Sequence, residues 1–232
     1  NSGHEIAYRD DVEWVGHSYT LHEFENYKII DSAQQLDKNQ FTEQANDNDI
    51  MIFSFYPTKP LGSIDGGLVV SNDKTKIDRL KLLSRHGSYS TGKNSWERNY
   101  VLPGWKMYMN SVQACAALQN FERLEEKMQR FDEVREIYND AFGLDNTSRH
   151  LYRIRVENRD GFISKMKKDG IQCGIHYQAV HKIDCYKSDI DTDLPQSEIE
   201  TSVTVSLPFH EMLTEKEILK VIQGVKNAQL LR

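Results

Sequence analysis

Four polar side chains with different chemistry stand at the ends of two apolar runs early in the chain. An aspartate and a glutamine three residues apart, Asp31 and Gln34, follow the first run. A serine and a lysine five residues apart, Ser54 and Lys59, follow the second. Because ligands bind where neighbouring strands end at one edge of a sheet, these positions would gather a carboxylate, an amide, a hydroxyl and an amine at one place.

This set of groups suits pyridoxal phosphate, whose aldehyde is held by a lysine amine and whose ring nitrogen must stay protonated. Lys59 would be the tether and, once released, the proton shuttle. The Asp31 carboxylate would keep the ring nitrogen protonated, since opposite charges favour the charged form. Gln34 would donate to the ring oxygen and Ser54 to a phosphate oxygen. Taken singly, each side chain is more typical of a turn, a cap or a solvated loop.

The elements that must position these groups alternate along the first half of the chain. Four apolar runs predict strands that are mostly buried on both faces, at 12–15, 27–30, 50–56 and 67–71. The segment 20–25 has room for a turn or two of helix, and leucines at helical spacing predict a surface helix over 73–83. The segment 84–103 is rich in Gly, Ser, Asn and Arg and predicts a long functional loop.

The second half predicts one long helix followed by a small α+β unit. Apolar residues recur at helical spacing over 107–142, and Gly143 is suited to end that helix. Thr214 and Glu217 have the spacing of a capping box. The other predicted elements are strands at 150–157, 171–177 and 203–207 and helices at 161–168 and 218–231. We therefore predict two domains, 1–142 and 143–232.

The overall composition excludes several classes of protein. The net charge of −6 gives no reason to expect nucleic acid or an anionic membrane as partner. No apolar stretch approaches the ~18 residues of a membrane span. The three cysteines have no metal-ligand spacing, so we predict no metal site and a reducing compartment. The polar residues 1–5 are not typical of a signal peptide, and we expect a cytoplasmic protein.

Several longer motifs follow one another in order along the chain. Asp-Ser-Ala-Gln at 31–34 and Phe-Ser-Phe-Tyr-Pro-Thr-Lys at 53–59 are followed by Gly-Gly-Leu-Val-Val-Ser-Asn-Asp at 66–73. Later come Arg-His-Gly, Pro-Gly-Trp-Lys-Met-Tyr-Met-Asn-Ser-Val-Gln-Ala, Gly-Ile-His-Tyr-Gln-Ala-Val-His and Leu-Pro-Phe-His, at 85–87, 103–114, 174–181 and 207–210. In this order they resemble the signature of the DegT/DnrJ/EryC1/StrS family. Its members are pyridoxal-phosphate-dependent aminotransferases that act on nucleotide-linked keto sugars.

The resemblance implies roles for individual residues. Lys59 corresponds to the Schiff-base lysine and Asp31 to the carboxylate at the pyridine nitrogen. Gln34 falls near the ring oxygen and Ser54 at the phosphate. Three further residues fall near the substrate in such enzymes, although the first two could equally pack at a strand end: His176, Tyr177 and His181.

The chain also departs from the family's pattern. Lys106 stands where the family usually has an asparagine that reaches the phosphate of the neighbouring subunit's cofactor. An ammonium could serve the same phosphate, and a plain surface lysine is an equally good interpretation. Tyr108 replaces an arginine of the same element. The family's opening helices, phosphate-binding turn and cofactor-stacking ring would precede Val12 and are not in this sequence.

The resemblance therefore implies an α/β fold, with a fold-type-I aminotransferase-like large domain that is incomplete at its N-terminus and a small C-terminal α+β domain. The implied activity transfers an amino group from an amino acid, glutamate, to a nucleotide-linked keto sugar, in a homodimer with sites at the interface. A chain that supplies the missing N-terminal part is a further expected partner. The alternative is a truncated, non-catalytic homologue that keeps the fold and binds a cofactor or partner.

Overall fold

The computed structural model describes residues 7–90, 94, 96–186 and 193–229. These residues form two compact units. The sheet unit consists of residues 17–126, and the C-terminal unit consists of residues 127–229 together with 7–16. The domain limits expected from the sequence, 1–142 and 143–232, stay a prediction. Within the described residues, no helix combines the length and the apolar character needed to cross a membrane.

The sheet unit contains a four-stranded sheet in the order β1-β2-β3-β4. Its strands are β1 Tyr19–Glu23, β2 Lys28–Asp31, β3 Ile50–Ser54 and β4 Gly67–Val70. The two central strands run parallel, and each outer strand is antiparallel to its neighbour. The carboxyl ends of β2 and β3 therefore lie at the same edge of the sheet, as the site prediction requires.

Two predictions for the start of the chain are wrong. The segment 20–25 belongs largely to β1 and is not helical, because Tyr19–Glu23 can pair with the open edge of β2. Pairing of this kind outweighs a weak local preference for helix. The segment 12–15 forms turns instead of a strand. There Trp14 Nε1 donates to Asp11 O at 2.9 Å, and Gly16 adopts a φ of 91°, which reverses the chain.

Two short helices flank the strands of this unit. The first, α1, spans Gln40–Gln44, and the second, α2, spans Lys74–Ser84 as predicted. Asp73 begins α2, because its carboxylate accepts from the backbone N–H groups of Thr75 and Lys76. The cap explains why the helix starts directly after β4.

The long loop predicted over 84–103 is partly ordered into a hairpin. Its strands are β5 Ser88–Ser90 and β6 Arg98–Tyr100, which pair antiparallel. These residues are almost all polar or aromatic and show no alternation of apolar and polar types. The sequence therefore gave no strand signal, and backbone pairing alone defines the element.

The helix predicted over 107–142 is divided into two. The first part, α3, spans Ser111–Glu122, and the second part, α4, spans Leu124–Phe142. Residues 107–110 are not helical, because Asn110 is the N-cap of α3. Its side chain accepts from the backbone N–H groups of Val112 and Gln113. The break falls at Arg123, and the helical spacing of apolar residues continues across it, so the period does not reveal it. Gly143, with a φ of 67°, ends α4 as predicted.

The C-terminal unit packs helices against a two-stranded sheet. Its strands, β7 Tyr152–Arg155 and β8 Thr204–Leu207, are antiparallel. Its further helices are α5 Arg159–Lys168, α6 Pro195–Val203 and α7 Glu215–Gln229. As predicted, Thr214 and Glu217 exchange capping hydrogen bonds at the start of α7. The predicted last residues of this helix, 230 and 231, lie outside the described residues.

The strand predicted over 171–177 is wrong. Only Gly174 forms a bridge, with Ser206 of β8. The segment follows Gly170, which has a φ of 70°, and it continues into a short 3₁₀-helix at Val180–Lys182. Short apolar runs next to glycine do not distinguish a strand from an extended loop.

The core of the C-terminal unit is built from large apolar side chains of α4, α5, α7 and both strands. Tyr138 and Tyr152 are completely buried at its centre. Their hydroxyls donate to Pro208 O at 3.1 Å and to Asn139 Oδ1 at 2.9 Å, so burial leaves neither phenol unpaired. Burial raises the pKa of both phenols well above the usual value. This core gives the unit a rigid base for its surface loops.

Candidate functional site

The Asp31 carboxylate lies at the carboxyl end of β2 and is held by two donors. Asp31 Oδ1 accepts from the backbone N–H of Ala33 at 2.8 Å. Asp31 Oδ2 accepts from the hydroxyl of Tyr19 at 3.2 Å. The two hydrogen bonds fix the carboxylate while each oxygen keeps a lone pair for another partner.

The residue after Asp31 fastens this strand end to its surroundings. Ser32 is buried, and its backbone N–H donates to Ile52 O of β3 at 2.8 Å. Its hydroxyl lies 3.1 Å from Gln40 Nε2 and 2.7 Å from Ser18 Oγ. Buried polar networks of this kind hold one geometry, because breaking any member leaves an unpaired group. The position of the Asp31 carboxylate is therefore set by the packing around Ser32.

Gln34 and Ser54 also lie in the sheet unit, at the ends of the two central strands. Gln34 is buried, with 6% of its surface exposed. Ser54 is the last residue of β3, and its Oγ accepts from the backbone N–H of Tyr56 at 3.2 Å. The serine oxygen keeps its own proton, which can be donated to a further acceptor.

Lys59 lies in a tight loop after β3. Its backbone N–H donates to Tyr56 O at 2.9 Å. Gly62 closes the loop, because a Cβ at this position would lie 2.2 Å from Pro57 O. On the far side, Ser63 Oγ donates to the carbonyl of Gln113 in α3 at 2.9 Å. The sequence Lys-Pro-Leu-Gly-Ser thus forms a compact loop that is anchored to a helix.

Burial and charge act on the Lys59 amine in opposite directions. The side chain is half-buried, and this desolvation lowers the pKa of Lys59 below its usual 10.5. The Asp31 carboxylate opposes the effect by raising the same pKa. In the described part of the chain the two groups form no ion pair, so the carboxylate acts on the amine through its charge alone. The neutral amine is more available here than on a fully solvated lysine, which suits a nucleophile.

The donor set at this sheet edge fits pyridoxal phosphate. A desolvated amine can hold the aldehyde, and a fixed carboxylate that interacts with that amine can face a protonated ring nitrogen. A serine hydroxyl and a buried amide complete the set predicted from the sequence. The individual roles of Asp31, Gln34, Ser54 and Lys59 stay predictions.

Lys106 differs from these four residues in its surroundings. The residue is exposed, and its backbone forms an isolated bridge with Arg85. Its Nζ lies 5.9 Å from the ring centroid of Tyr108, at the outer range of a cation–π contact. Among the described residues, no carboxylate forms an ion pair with it. Its predicted contact with a neighbouring subunit's cofactor stays a prediction.

The three predicted substrate residues lie in the C-terminal unit. His176 Nδ1 lies 2.8 Å from the Oγ of Ser206 in β8, and its ring is 5.1 Å from that of Tyr177. His181 Nε2 lies 3.1 Å from a carboxylate oxygen of Glu198 in α6. The histidines therefore have structural partners within their own unit. Their contact with a substrate stays a prediction.

Two residues that contact or influence Tyr177 were not predicted from the sequence. Trp14 stacks on the Tyr177 ring, with the centroids 5.8 Å apart and the planes at 4°. Arg153 of β7 forms an ion pair with Glu200 at 3.0 Å, and its positive charge counters the rise in the pKa of Tyr177 that burial causes. Trp14 was placed in a strand, and no spacing signal marked either residue.

Comparison with solved structures defines the class of fold. An aminotransferase of the same family from Brucella abortus superimposes with a TM-score of 0.67 and is 32% identical, over 77% of this chain and 50% of that chain. The fold is that of fold-type-I, pyridoxal-phosphate-dependent aminotransferases.

The sequence matches the profile of the DegT/DnrJ/EryC1/StrS aminotransferase family over residues 29–226, and the chain belongs to that family. It is 27% identical to the spore coat polysaccharide biosynthesis protein SpsC of Bacillus subtilis, over 77% of this chain and 53% of that protein. It is 24% identical to the UDP-4-amino-4,6-dideoxy-N-acetyl-beta-L-altrosamine transaminase of Campylobacter jejuni, over 89% of this chain and 61% of that protein. The chain spans 53 to 65% of the length of the curated relatives it matches.

Proposed function

We propose that the chain carries the cofactor-binding half-site of a pyridoxal-phosphate-dependent aminotransferase that acts on a nucleotide-linked keto sugar. One observation carries the proposal. The Lys59 amine is desolvated and interacts with the Asp31 carboxylate, and the two groups follow adjacent parallel strands. The Asp31 carboxylate that acts on this amine is itself fixed by two hydrogen bonds.

Each residue of the half-site has a definite task in this proposal. Pyridoxal phosphate, when bound, supplies the electron sink that a Cα–H bond needs in order to break. Asp31 keeps a positive charge opposite its carboxylate, and Gln34 and Ser54 orient the ring oxygen and the phosphate. Lys59 holds the aldehyde, and its Nζ accepts and returns a proton once the amine is free.

The substrates are inferred from the relatives. The Campylobacter transaminase is named for a UDP-linked amino sugar, and SpsC for polysaccharide biosynthesis. We propose an amino acid, glutamate, as the amino donor and a nucleotide-linked keto sugar as the acceptor. His176, Tyr177 and His181 are the proposed substrate contacts in the C-terminal unit. We also propose a cytoplasmic homodimer, in which Lys106 reaches the cofactor phosphate of the partner.

The test is attachment of the cofactor to one lysine. The purified protein is titrated with pyridoxal phosphate, followed by visible absorbance, then reduced with borohydride and mapped by mass spectrometry. We expect a yellow protein whose modified peptide contains Lys59. The Lys59→Ala variant should stay colourless, whereas Lys38→Ala, which removes an exposed lysine of the same unit, should not differ from the wild type.

Turnover distinguishes the proposed enzyme from the non-catalytic alternative. The protein loaded with pyridoxal phosphate is mixed with glutamate, and loss of the visible band with release of 2-oxoglutarate is measured. Loss of the band in the wild type supports an aminotransferase. Attachment at Lys59 without any transfer would favour a binding homologue, and attachment at other lysines only would contradict both.

A further inference from the structure

The segment 7–16, which we call the N-terminal segment, packs within the C-terminal unit although the sheet unit follows it directly in the chain. The family profile matches residues 29–226, so this segment lies outside the part of the chain that the profile describes. The segment carries Trp14, which stacks on Tyr177. Tyr177 belongs to the 176–181 segment, which contains the three residues predicted to contact a substrate. The contacts of the N-terminal segment therefore bear on the geometry of a predicted site.

One end of the N-terminal segment is fastened to the start of α6. The Asp10 carboxylate accepts from the backbone N–H of Gln196 at 2.9 Å. It also accepts from the backbone N–H and from the hydroxyl of Ser197, at 2.8 and 2.7 Å. The N–H groups in the first turn of a helix favour a carboxylate at this place. These three hydrogen bonds tie the N-terminal segment to the first turn of α6.

The other end of the N-terminal segment is fastened to Ser148, which precedes β7. Ser148 is buried, and its Oγ donates to Gly16 O at 3.2 Å. A Cβ at Gly16 would lie 2.5 Å from the same oxygen, so only glycine allows this close approach. The neighbouring Val15 is buried as well. Trp14 lies between the two attachments, so its position is restricted from both sides.

The 176–181 segment is held by the same helix. Thr201 Oγ1 of α6 accepts from the backbone N–H of Ala179 at 2.8 Å. The same hydroxyl donates to Tyr177 O at 3.4 Å. The N-terminal segment and the 176–181 segment are therefore both attached to α6, and these attachments bring Trp14 to Tyr177.

The ring of Tyr177 stacks on Trp14 and still remains accessible. The ring centroids are 5.8 Å apart and the planes differ by 4°, within the range of stacked aromatic pairs. Tyr177 nevertheless has 41% of its surface exposed. A stacked partner of this size restricts the rotation of the Tyr177 ring and with it the direction of the hydroxyl. Side chains that bind a ligand depend on such support from the residues packed around them.

We propose that Trp14 is a positioning residue that sets the ring of Tyr177 for contact with the substrate, and that the N-terminal segment acts as a clamp on the 176–181 segment. The part of this proposal that concerns a substrate rests on the proposed function. The effect of Trp14 on Tyr177 requires neither Lys59 nor pyridoxal phosphate. A segment outside the family profile thus takes part in substrate binding.

The environment of the Tyr177 ring is measured by ¹⁹F NMR of protein labelled with 3-fluorotyrosine, and the Tyr177→Phe variant identifies its signal. We expect Trp14→Leu to shift this signal, because the stacked ring is lost. Trp14→Phe keeps an aromatic ring and should leave the signal near its wild-type position. Trp96→Leu is the matched control, because Trp96 is an exposed tryptophan of the sheet unit. An unchanged Tyr177 signal in Trp14→Leu would overturn the proposal.

A second variant loosens the clamp without altering either ring. Asp10→Ala removes the carboxylate from the start of α6 and should shift the Tyr177 signal in the same direction as Trp14→Leu. Asp73→Ala is its matched control, because it removes the corresponding cap from α2 of the sheet unit. This control should leave the Tyr177 signal in place. Equal shifts in Asp10→Ala and Asp73→Ala would indicate a general loss of structure and would contradict the clamp.

The effect on substrate binding is measured by following the same signal while UDP-N-acetylglucosamine is added as a probe. We expect the probe to move the Tyr177 signal of the wild type. Half-saturation should need about tenfold more probe in Trp14→Leu, the upper end of what a stacked aromatic pair contributes. Trp14→Phe and Trp96→Leu should bind the probe as the wild type does. A probe that leaves the signal in place, or that binds Trp14→Leu and the wild type equally, would limit Trp14 to packing and refute its role as a positioning residue.

The same titration in the Lys59→Ala background separates this proposal from the proposed function. The effect of Trp14→Leu on half-saturation should persist there, because it does not depend on the lysine. An effect of about tenfold in a protein that attaches no pyridoxal phosphate would support the positioning role and contradict only the proposed function. Normal attachment of pyridoxal phosphate to Lys59, together with equal probe binding by Trp14→Leu and the wild type, would refute the positioning role alone.

Discussion

At the scale of single residues, the reactivity of Lys59 is set by burial and by one carboxylate. Burial lowers the pKa of Lys59, and Asp31 raises it. We predict that the reactivity of the Lys59 amine reaches half of its maximum at a pH below 10.5. The Asp31→Asn substitution should move this midpoint to a still lower pH. The sign follows because removing the negative charge leaves only the burial effect, which favours the neutral amine. Labelling of Lys59 with an uncharged amine-reactive reagent across pH, read by mass spectrometry, measures the midpoint.

The matched control for this prediction is Glu43→Gln. Glu43 is an exposed acid of the same unit and is not among the groups that shift the pKa of Lys59. Its removal should leave the midpoint unchanged. A midpoint that rises in Asp31→Asn, or that shifts equally in both variants, would contradict the charge effect of Asp31 on Lys59.

Ser54 allows a second prediction at this scale. Ser54→Ala should raise the Kd for pyridoxal phosphate about tenfold, because it removes a hydroxyl donor to a charged phosphate. Ser71→Ala is a close control, since Ser71 Oγ accepts from the backbone N–H of Asp73 at 3.2 Å, as Ser54 Oγ does from Tyr56. Fluorescence titration with the cofactor should show no effect of Ser71→Ala. Equal effects of the two substitutions would indicate that Ser54 stabilises its loop and does not bind the phosphate.

At the scale of elements, α3 is important because it anchors the Lys59 loop. Its start depends on Asn110 and Gln113, whose side chains each accept from the other's backbone N–H at 3.0 Å. We predict that Asn110→Ala lowers the free energy of unfolding by about 1 kcal/mol, the usual cost of losing an N-cap. Urea denaturation measures the change. Gln119→Ala, at an exposed position in the last turn of the same helix, should change stability by less than about 0.5 kcal/mol.

The elements also show what a sequence can reveal. The strands β2 and β3 were predictable because they are short apolar runs bounded by polar residues, and with them the positions of Asp31 and Ser54. The strand β1 was not, because its sequence Tyr-Thr-Leu-His-Glu is half-exposed and is defined by pairing with β2. As a result the Tyr19 hydroxyl on Asp31 was missed. The hairpin was likewise hidden in a polar segment, since backbone pairing alone defines it.

At the scale of the whole molecule, the sheet unit exposes apolar side chains that a soluble monomer would normally cover. Val112 and Phe121 of α3 are 67% and 58% exposed, and Trp105 and Met107 are exposed just before this helix. Large apolar side chains that are exposed in one subunit are often covered at an interface between proteins. Lys106 lies between Trp105 and Met107 in the sequence. We propose that the exposed apolar side chains on either side of Lys106, Trp105 and Met107, contact a second copy of the chain.

The proposal that Lys106 completes the site of the partner subunit makes a prediction about mixed dimers. In a dimer of Lys59→Ala with Lys106→Ala, one site combines an intact Lys59 with an intact Lys106 from the partner, and the other site lacks both. We predict that Lys59→Ala alone does not bind pyridoxal phosphate covalently and that Lys106→Ala alone does not bind it tightly. An unfolded and refolded equal mixture should recover about a quarter of the wild-type sites, because random pairing makes about half of the dimers mixed.

A mixture of Lys59→Ala with Lys81→Ala, which keeps Lys106 in both chains, should instead retain about half. Recovery equal to the mean of the two separate variants would show that each chain builds its site without the other's Lys106.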